Sequence, residues 1–257
     1  MRTKGYLVLF FLLPSLLATA QMQDFRMGIQ MSPNFSWLSS TDRLISPNGA
    51  NLGIQFGLQS EMYFTDQIGI GIGASISFNQ GGRLYHEIGG NLLPNSELTN
   101  KAYNTGIKPL PDGTNIRYKL QAIHLPVGLK LRTAEYGYLR YFLEAPIIDP
   151  MIISKSHGSI SGVNVDLEGE NIRKDVTKLQ PSIGIGLGAE YSISVHNALI
   201  FGVYFHKSIL DLTKNGKKAI LVNDNGTPST ADDVYRQETE DAKIRMNRLQ
   251  FRLGILF

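Results

Sequence analysis

Three features of the sequence predict an all-β fold, an eight-stranded antiparallel up-and-down transmembrane β-barrel of the outer-membrane type. Apolar residues alternate with polar or glycine residues in eight separate segments, as they do in strands with two different faces. Short turns and long polar loops alternate between those segments. After residue 20, no apolar run approaches the ~20 residues that a membrane-spanning helix needs.

The start of the chain has the three parts of a secretory signal peptide. Arg2 and Lys4 precede a short apolar core, and the small residues at 18–20 suit cleavage. The apolar core is too short to span a bilayer as a helix. We therefore predict that residues 1–20 are removed and that residues 21–257 form one outer-membrane β-barrel domain.

Composition excludes several classes of function. The formal net charge is only +3, which is too small to predict a nucleic-acid partner. The sequence contains no Cys, so lipoprotein acylation, disulfide bonds and thiolate chemistry are excluded. Nothing in the composition or motifs predicts a cofactor.

The predicted strands are recognised by their alternation. In the third strand, apolar residues from Ile68 to Phe78 alternate with glycine, serine and asparagine. In the fourth, the apolar positions change phase near Ala122, which predicts a β-bulge. The eight predicted strands lie within residues 25–37, 52–64, 68–78, 116–131, 139–147, 179–193, 199–208 and 249–257.

The connections between strands predict the orientation of the barrel. Outer-membrane barrels have short turns on the periplasmic side and longer loops on the outside. Both termini are then periplasmic, in the outer membrane of a Gram-negative bacterium. The predicted turns are 65–67, 133–136 and 195–197, and the predicted outward loops are 39–50, 80–115, 154–175 and 214–241.

The closing strand is predicted to carry an assembly signal. Its apolar residues occupy alternate positions, so one face meets lipid while the strand closes the barrel against the first strand. We expect the barrel-insertion machinery to recognise this pattern. The residues of the signal are Leu249, Phe251, Leu253, Ile255 and Phe257.

A soluble, lipocalin-like barrel is the structural alternative to a membrane barrel. Such a barrel places its apolar residues inside and its polar residues outside. Here the faces rich in Gly, Ser, Gln and Arg are too small to enclose an apolar core around a ligand. The membrane barrel is therefore favoured.

Two segments resemble a known family. Residues 117–132, with Leu125-Pro126 at their centre, resemble the characteristic strand of the PorT-like outer-membrane barrels of Bacteroidota. Residues 183–191 are similar to the glycine-alternating strand of that family, and residues 248–257 to its last strand.

The resemblance implies a fold and a compartment, with one departure. The glutamate that is usual in the family falls where this chain has Ala122 or Ile123. Some members of the family assist the type IX secretion pathway, and the resemblance therefore implies a role accessory to protein secretion. Most similar barrels have no known activity.

Charged residues on the inward face are predicted to form a network in the lumen. The interior of an eight-stranded barrel is only wide enough to be filled by side chains, so buried charges must pair. We predict a salt-bridged plug, and a narrow ion path lined by basic residues is the alternative. The predicted network comprises Arg26, Glu61, Lys130, Arg140, Glu144, Glu190, Arg248 and Arg252, and Arg117 and Lys119 are placed on the same inward face.

No arrangement of residues predicts an enzyme or a metal site. His206 and Ser208 lie two apart on one strand face, but both point inward, away from any lipid substrate. The segment 223–227 has the oxygen-rich look of a calcium loop. It lacks the first acid and the bidentate Glu of an EF-hand loop and is predicted to be a solvated loop.

The sequence therefore predicts a non-enzymatic structural or interaction barrel. The four loops offer the surface for envelope or secretion-complex proteins, and the alternative function is a narrow ion or small-solute channel. Outer-membrane lipid and lipopolysaccharide are expected partners. Lys207, Lys243 and Arg245 stand near the outer rim, where they can extend toward lipopolysaccharide phosphates.

Overall fold

The computed structural model describes residues 24–103, 109–194, 197–223 and 234–257. The predicted signal peptide and most of the Asn- and Asp-rich segment that was compared with a calcium loop lie outside these residues. Among the described residues, no helix is long and apolar enough to cross a membrane.

The described chain consists mainly of antiparallel strands, with two 3-10 helices of three residues each at Lys101–Tyr103 and Arg173–Asp175. Eight long strands form the barrel, with one of them divided into two parts, and the remaining strands lie in the loops. The strands are β1 (Asp24–Ser40), β2 (Ile45–Tyr63), β3 (Ile68–His86), β4 (Gly90–Asn91), β5 (Thr114–His124), β6 (Val127–Arg132), β7 (Leu139–Gly162), β8 (Val165–Asn171), β9 (Leu179–Ser192), β10 (Ala198–Ser208), β11 (Lys217–Asn223), β12 (Val234–Thr239) and β13 (Ile244–Leu256).

Hydrogen bonds close the barrel strands into a ring. The order is β1, β2, β3, β5 with β6, β7, β9, β10 and β13, and β13 pairs back onto β1. β5 and β6 form one barrel strand that is interrupted at Leu125-Pro126. The bulge predicted near Ala122 in this strand is wrong, because β5 alternates without interruption and the extra residue at this register shift is Ser154 of β7. Every pairing is antiparallel. The predicted eight-stranded antiparallel barrel is confirmed.

The two ends of the barrel differ in their connections. One end, called the turn end, carries three short turns and the start of β1. The other end, called the loop end, carries the remaining four connections, three of which contain additional strands. The turns are residues 64–67, 133–138 and 193–197, and the loop-end connections are residues 41–44, 87–113, 163–178 and 209–243.

Three loop-end connections differ from the sequence-based prediction because the strands continue farther than their apolar alternation. The connection predicted over 39–50 contains only residues 41–44. β3 and β5 pair as far as His86 and Thr114, so both ends of the predicted 80–115 loop belong to the sheet. β7 extends into the predicted third loop and forms a hairpin with β8. These pairings satisfy the backbone N–H and C=O groups beyond the apolar positions.

The outward face of the barrel carries a continuous belt of exposed apolar side chains. Alternate residues of every barrel strand contribute to this belt. It reaches Ile123 on β5 and Phe205 on β10, and the next outward positions toward the loop end are Gln121 and Lys207. An exposed apolar belt of this kind is what a lipid-facing wall requires.

The interior of the barrel has two layers of different chemistry. Within the belt, the inward residues are mainly Gln, Ser, Asn, Gly and charged side chains, almost all of them buried. Above the belt, toward the loop end, the interior is an apolar core. Its residues come from the strand ends and from the loops that fold over them, among them Leu38, Leu84, Leu92, Leu93, Leu98, Leu110, Ile116, Leu120, Ile153, Ile160, Val176, Leu212 and Ile244.

Candidate functional site

Four charged side chains from four strands meet inside the barrel near the turn end. Arg26 on β1 contacts Glu61 on β2 at 2.9 Å and Glu190 on β9 at 2.8 Å. Lys130 on β6 forms ion pairs with the same two carboxylates and lies 2.7 Å from Glu190. All four residues are more than nine-tenths buried. Each cation thus contacts both carboxylates, so the cluster is neutral and compensates its own burial.

A cation and an aromatic ring cover this cluster on the side of the turn end. The Tyr63 hydroxyl donates to Glu61 at 3.0 Å and accepts from Arg26 at 3.2 Å. The Arg132 guanidinium lies 3.5 Å from the centroid of the Tyr63 ring, and its Nε donates to the carbonyl of Asp66 in the turn. Because a cation is attracted to the face of an aromatic ring, this stack closes the lumen below the cluster.

A second ion pair joins β13 to β7. Arg252 lies 3.1 Å from Glu144 and donates a 2.9 Å hydrogen bond to the Tyr204 hydroxyl. The ring of Tyr204 lies across the lumen, over Gly186 of the neighbouring strand, where a Cβ would stand 2.1 Å from a ring carbon. The glycine alternation of β9 therefore provides the space for a large ring in a narrow barrel.

A third cluster lies nearer the loop end. Asp149 on β7 accepts from Arg248 at 2.7 Å and contacts Nδ1 of His124 at 2.9 Å. The other ring nitrogen of His124 lies 2.9 Å from the Ser77 hydroxyl. Arg248 also lies 3.1 Å from Nδ1 of His124, so the carboxylate, the guanidinium and the imidazole form one compact cluster. His124, Ser77 and Asp149 have exposed fractions of 1% or less.

The charges of these three clusters balance. Four cations form ion pairs with four carboxylates in the described lumen, and the cations are Arg26, Lys130, Arg248 and Arg252. Seven of the eight residues predicted for the network thus lie in ion pairs inside the barrel. The eighth, Arg140, does not.

Arg140 requires a correction, as do two other basic residues. Arg140 lies at the open end of β7 and contacts Glu135 in the turn at 2.8 Å, where both side chains are about one-third exposed. Arg117 and Lys119 lie on the outward face, because the apolar residues that alternate with them in β5 are buried in the loop-end core and do not face lipid. The three clusters therefore hold as many carboxylates as cations, and Arg132 lies below them at the turn end.

Little space remains between the clusters. The cavity beside Gln59, Glu144 and Arg252 has a volume of about 10 Å³. A single water molecule needs at least about 10–15 Å³ measured in this way. At this height the described side chains leave room for at most one water molecule, and the charged groups contact each other across the lumen.

The connection between β3 and β5 is anchored over the loop end by a buried carboxylate. Both oxygens of Asp175 accept from the backbone N–H of Asn95 at 3.1 Å, and one accepts from the Asn95 side chain at 2.7 Å. The Ser96 hydroxyl also donates to Asp175, which is fully buried. Nearby, Glu170 accepts from the backbone of Thr99 at 2.7 Å. These contacts hold residues 92–103 as a cap on the apolar core.

A second group of ionisable residues lies at the loop end, beyond the apolar belt. Lys218 forms an ion pair with Asp42, and His86 and Glu240 are buried beside them. Burial lowers the pKa of His86 to about 4. Burial also raises the pKa of Glu240 to about 7, and the carboxylates of Asp42 and Asp211 add to this rise while Lys218 opposes it.

The raised pKa of Glu240 predicts that the folded loop end becomes less stable as pH rises. Glu240 binds a proton more tightly in the folded protein than in the unfolded chain. Its contribution to the free energy of unfolding is therefore complete below pH ~4.5 and is lost as pH rises through about 7. Between pH 5 and pH 8, the free energy of unfolding of the Glu240→Gln variant should rise by up to about 3 kcal/mol relative to that of the unmodified protein. Urea unfolding in lipid vesicles at both pH values measures this difference.

His86 has the opposite pH dependence: its contribution to the free energy of unfolding is lost as pH falls from 6.5 through about 4. Both the unmodified protein and the Glu240→Gln variant contain His86, so its effect cancels when the two are compared. An equal pH dependence in both proteins would show that Glu240 is solvated in the folded protein.

A family model supports the assignment that the geometry indicates. The model described as outer membrane protein beta-barrel domain matches residues 19–214. The chain belongs to this family. It is therefore a bacterial outer-membrane β-barrel, and the exposed apolar belt is its lipid-facing wall. No curated protein matches the sequence.

Solved outer-membrane barrels resemble the chain in fold. Neisserial surface protein A is 8% identical, and the match covers 89% of this chain and 95% of that chain with a TM-score of 0.37. OprG from Pseudomonas aeruginosa is 12% identical over 90% and 95% of the two chains, with a TM-score of 0.41. The outer-membrane protease OmpT from Escherichia coli is 9% identical over 92% and 97%, with a TM-score of 0.45.

The outer-membrane barrel presents the predicted assembly residues on its lipid side. Leu249, Phe251, Leu253 and Ile255 occupy alternate outward positions of β13. Phe257 continues the ladder beyond β13, because its N–H donates to the Met27 carbonyl at 2.7 Å and its carbonyl accepts from Met27 at 3.0 Å. Recognition by the insertion machinery stays a prediction.

Sequence reasoning missed several residues that complete the lumen of this barrel. Asp149 escaped notice because a register shift between Glu144 and Ile147 changes the phase of β7, and it turns Ile147 inward as well. The aromatic partners Tyr63 and Tyr204 were also missed. A buried arginine requires an acceptor, so the inward Arg248 was a signal that a carboxylate stood opposite.

Proposed function

We propose that this barrel is a non-enzymatic structural or interaction component of the cell envelope, of PorT-like type and accessory to protein secretion. One observation carries the proposal: paired charges fill the lumen and a folded cap covers the loop end. The chemistry that remains accessible lies on the outer surface of the loops and strand ends. In this proposal the loop end faces outward and the turn end, with both termini, faces the periplasm.

The geometry of the inward nucleophiles supports a non-enzymatic role. Ser77, His124 and Asp149 have the order of hydrogen bonds of a catalytic triad, but all three are buried in the filled lumen and Arg248 binds the carboxylate. Ser208 accepts from the backbone N–H of Met246 at 2.8 Å. Neither serine can reach a substrate in the bilayer or in solution.

Affinity capture tests the interaction role. The full-length protein carries a tag after the predicted signal peptide and is expressed at its native level. It is extracted from the membrane with a mild detergent, and its partners are identified by mass spectrometry. The proposal expects envelope proteins in stable, stoichiometric amounts. A matched capture from cells in which residues 92–103 have been replaced by a Gly-Ser linker identifies the partners that depend on the cap.

Two results would count against the proposal. Recovery of the barrel alone, combined with a solute-uptake defect in the deletion strain, would favour a channel. A change in lipid A or phospholipid acylation that is reversed by the unmodified protein and not by Ser77→Ala would establish an enzyme.

A further inference from the structure

Basic side chains line a pocket on the outer wall of the barrel, above the apolar belt. The pocket has a volume of about 280 Å³ and lies on the outward faces of β3, β5, β7 and β8. Arg83 and Arg117 stand directly opposite each other on paired strands, and Lys119 is the next outward residue toward the membrane. The described chain provides no salt-bridge partner for any of these three cations.

The height of the pocket places it at the level of lipid headgroups. Lys119 is four residues from Ile123, the last apolar outward residue of β5, which is roughly 13 Å along the strand at ~3.3 Å per residue. The vertical distance is smaller, because barrel strands are tilted. Lys155 lies between these levels, paired with Gln121 across β5 and β7. A lipid whose chains pack on the belt would therefore have its headgroup beside the cations.

The pocket contains carboxylates as well as cations, and this limits the chemical class of ligand that it can bind. Asp166 and Glu168 of β8 line the wall farther from the membrane. Carboxylates repel a bare phosphate but accept hydrogen bonds from hydroxyl groups. Arginine and lysine bind phosphate oxygens with charge-assisted hydrogen bonds. The combination fits a phosphate that is attached to a sugar, and the pocket volume is many times the ~10–15 Å³ that a single water molecule needs.

We infer that this pocket binds the phosphorylated sugar headgroup of an outer-leaflet glycolipid, that is, lipid A. Arg83 and Lys119 contact the phosphate, Asp166 and Glu168 accept from the sugar hydroxyls, and the acyl chains lie against the apolar belt below. The inference rests on the proposed outward orientation of the loop end. It differs in place from the rim residues on β10 and β13, which stand on the opposite wall of the ring.

Native mass spectrometry of the refolded, full-length barrel with bisphosphorylated lipid A tests the assignment. The variant Arg83→Gln/Lys119→Gln removes two cations from the pocket and spares Arg117, whose Nε donates to Asn51 at 3.0 Å. The control Lys207→Gln/Lys243→Gln removes two cations from the opposite wall. Heat-modifiable migration verifies that each variant is folded.

We expect the pocket variant to bind lipid A at least roughly tenfold more weakly than the unmodified barrel, and the control to stay within about twofold. Dephosphorylated lipid A should bind the unmodified barrel and the pocket variant equally. Equal loss in pocket variant and control would show general charge attraction and overturn the site. Displacement of lipid A by an equal concentration of orthophosphate would assign the pocket to free phosphate instead. Because this assay needs no protein partner, its outcome is independent of the affinity capture.

Discussion

Replacing Glu190 with Gln is expected to lower the free energy of unfolding by about 3–5 kcal/mol. Glu190 contacts both Arg26 and Lys130, and its exposed fraction is 1%. After the substitution, two buried cations share Glu61 as their remaining carboxylate in the cluster. Charges that lose their partner in a buried site keep the full cost of their desolvation, which makes the loss large.

Urea unfolding of the refolded barrel in lipid vesicles measures this loss. The control is Glu135→Gln, which removes a carboxylate from the partly exposed pair with Arg140 and should cost at most about 1 kcal/mol. Similar small losses for both variants would show that water or ions compensate the lumen cluster, and the proposed plug would then be an open, hydrated path.

Replacing Asp175 with Ala should release the cap from the barrel. The substitution removes the buried acceptor that the exposed Asn95 and the buried hydroxyl of Ser96 share. We expect a loss of about 1–3 kcal/mol, because the Ser96 hydroxyl is left without an acceptor while the Asn95 donors can turn to water. The barrel strands do not depend on these bonds, so the barrel should still fold and remain heat-modifiable.

Limited proteolysis of vesicle-embedded protein follows the cap directly. In the Asp175→Ala variant, residues 92–103 should be cleaved much faster than in the unmodified protein. Glu97→Gln is the matched control in the same loop, because its pair with Lys174 is exposed and contributes little. Unchanged cleavage in the Asp175→Ala variant would mean that the apolar core holds the cap without the carboxylate.

The alternation of residues was sufficient to predict the barrel and part of its interior. In a closed ring of strands with one lipid-facing side, the side-chain period of two assigns each residue to a face. This rule correctly placed Arg26, Glu61, Lys130 and Glu190 on the inside, and the width of an eight-stranded barrel then requires them to meet.

The same rule failed where the register shifts. A β-bulge moves every later residue to the other face, and its position depends on pairing with a neighbouring strand that the sequence does not display. Arg117 and Lys119 were misplaced for another reason: the apolar residues of β5 before Ala122 face the loop-end core, so the polar residues between them form the outer wall and the basic pocket. The shift in β7 brought Asp149 into the lumen.

The alternation of residues could not predict the cap either. Residues 87–113 are rich in Gly, Asn and Pro, which predicts a solvated loop. Their leucines, at positions 92, 93, 98 and 110, are all buried in the loop-end core. Such isolated apolar residues have no period, so the contacts that bury them are non-local and are visible only once the strands form a wall for them to pack on. Four leucines in a polar loop are nevertheless a signal that the loop folds back.

Single-channel recording in planar bilayers tests the central claim that the lumen is sealed. The claim rests on balanced ion pairs across a filled interior and on an apolar core at the loop end. With the folded, unmodified barrel inserted at known density, we predict no stable conductance steps above those of protein-free bilayers. Reproducible steps of uniform size from the unmodified barrel would contradict the sealed lumen.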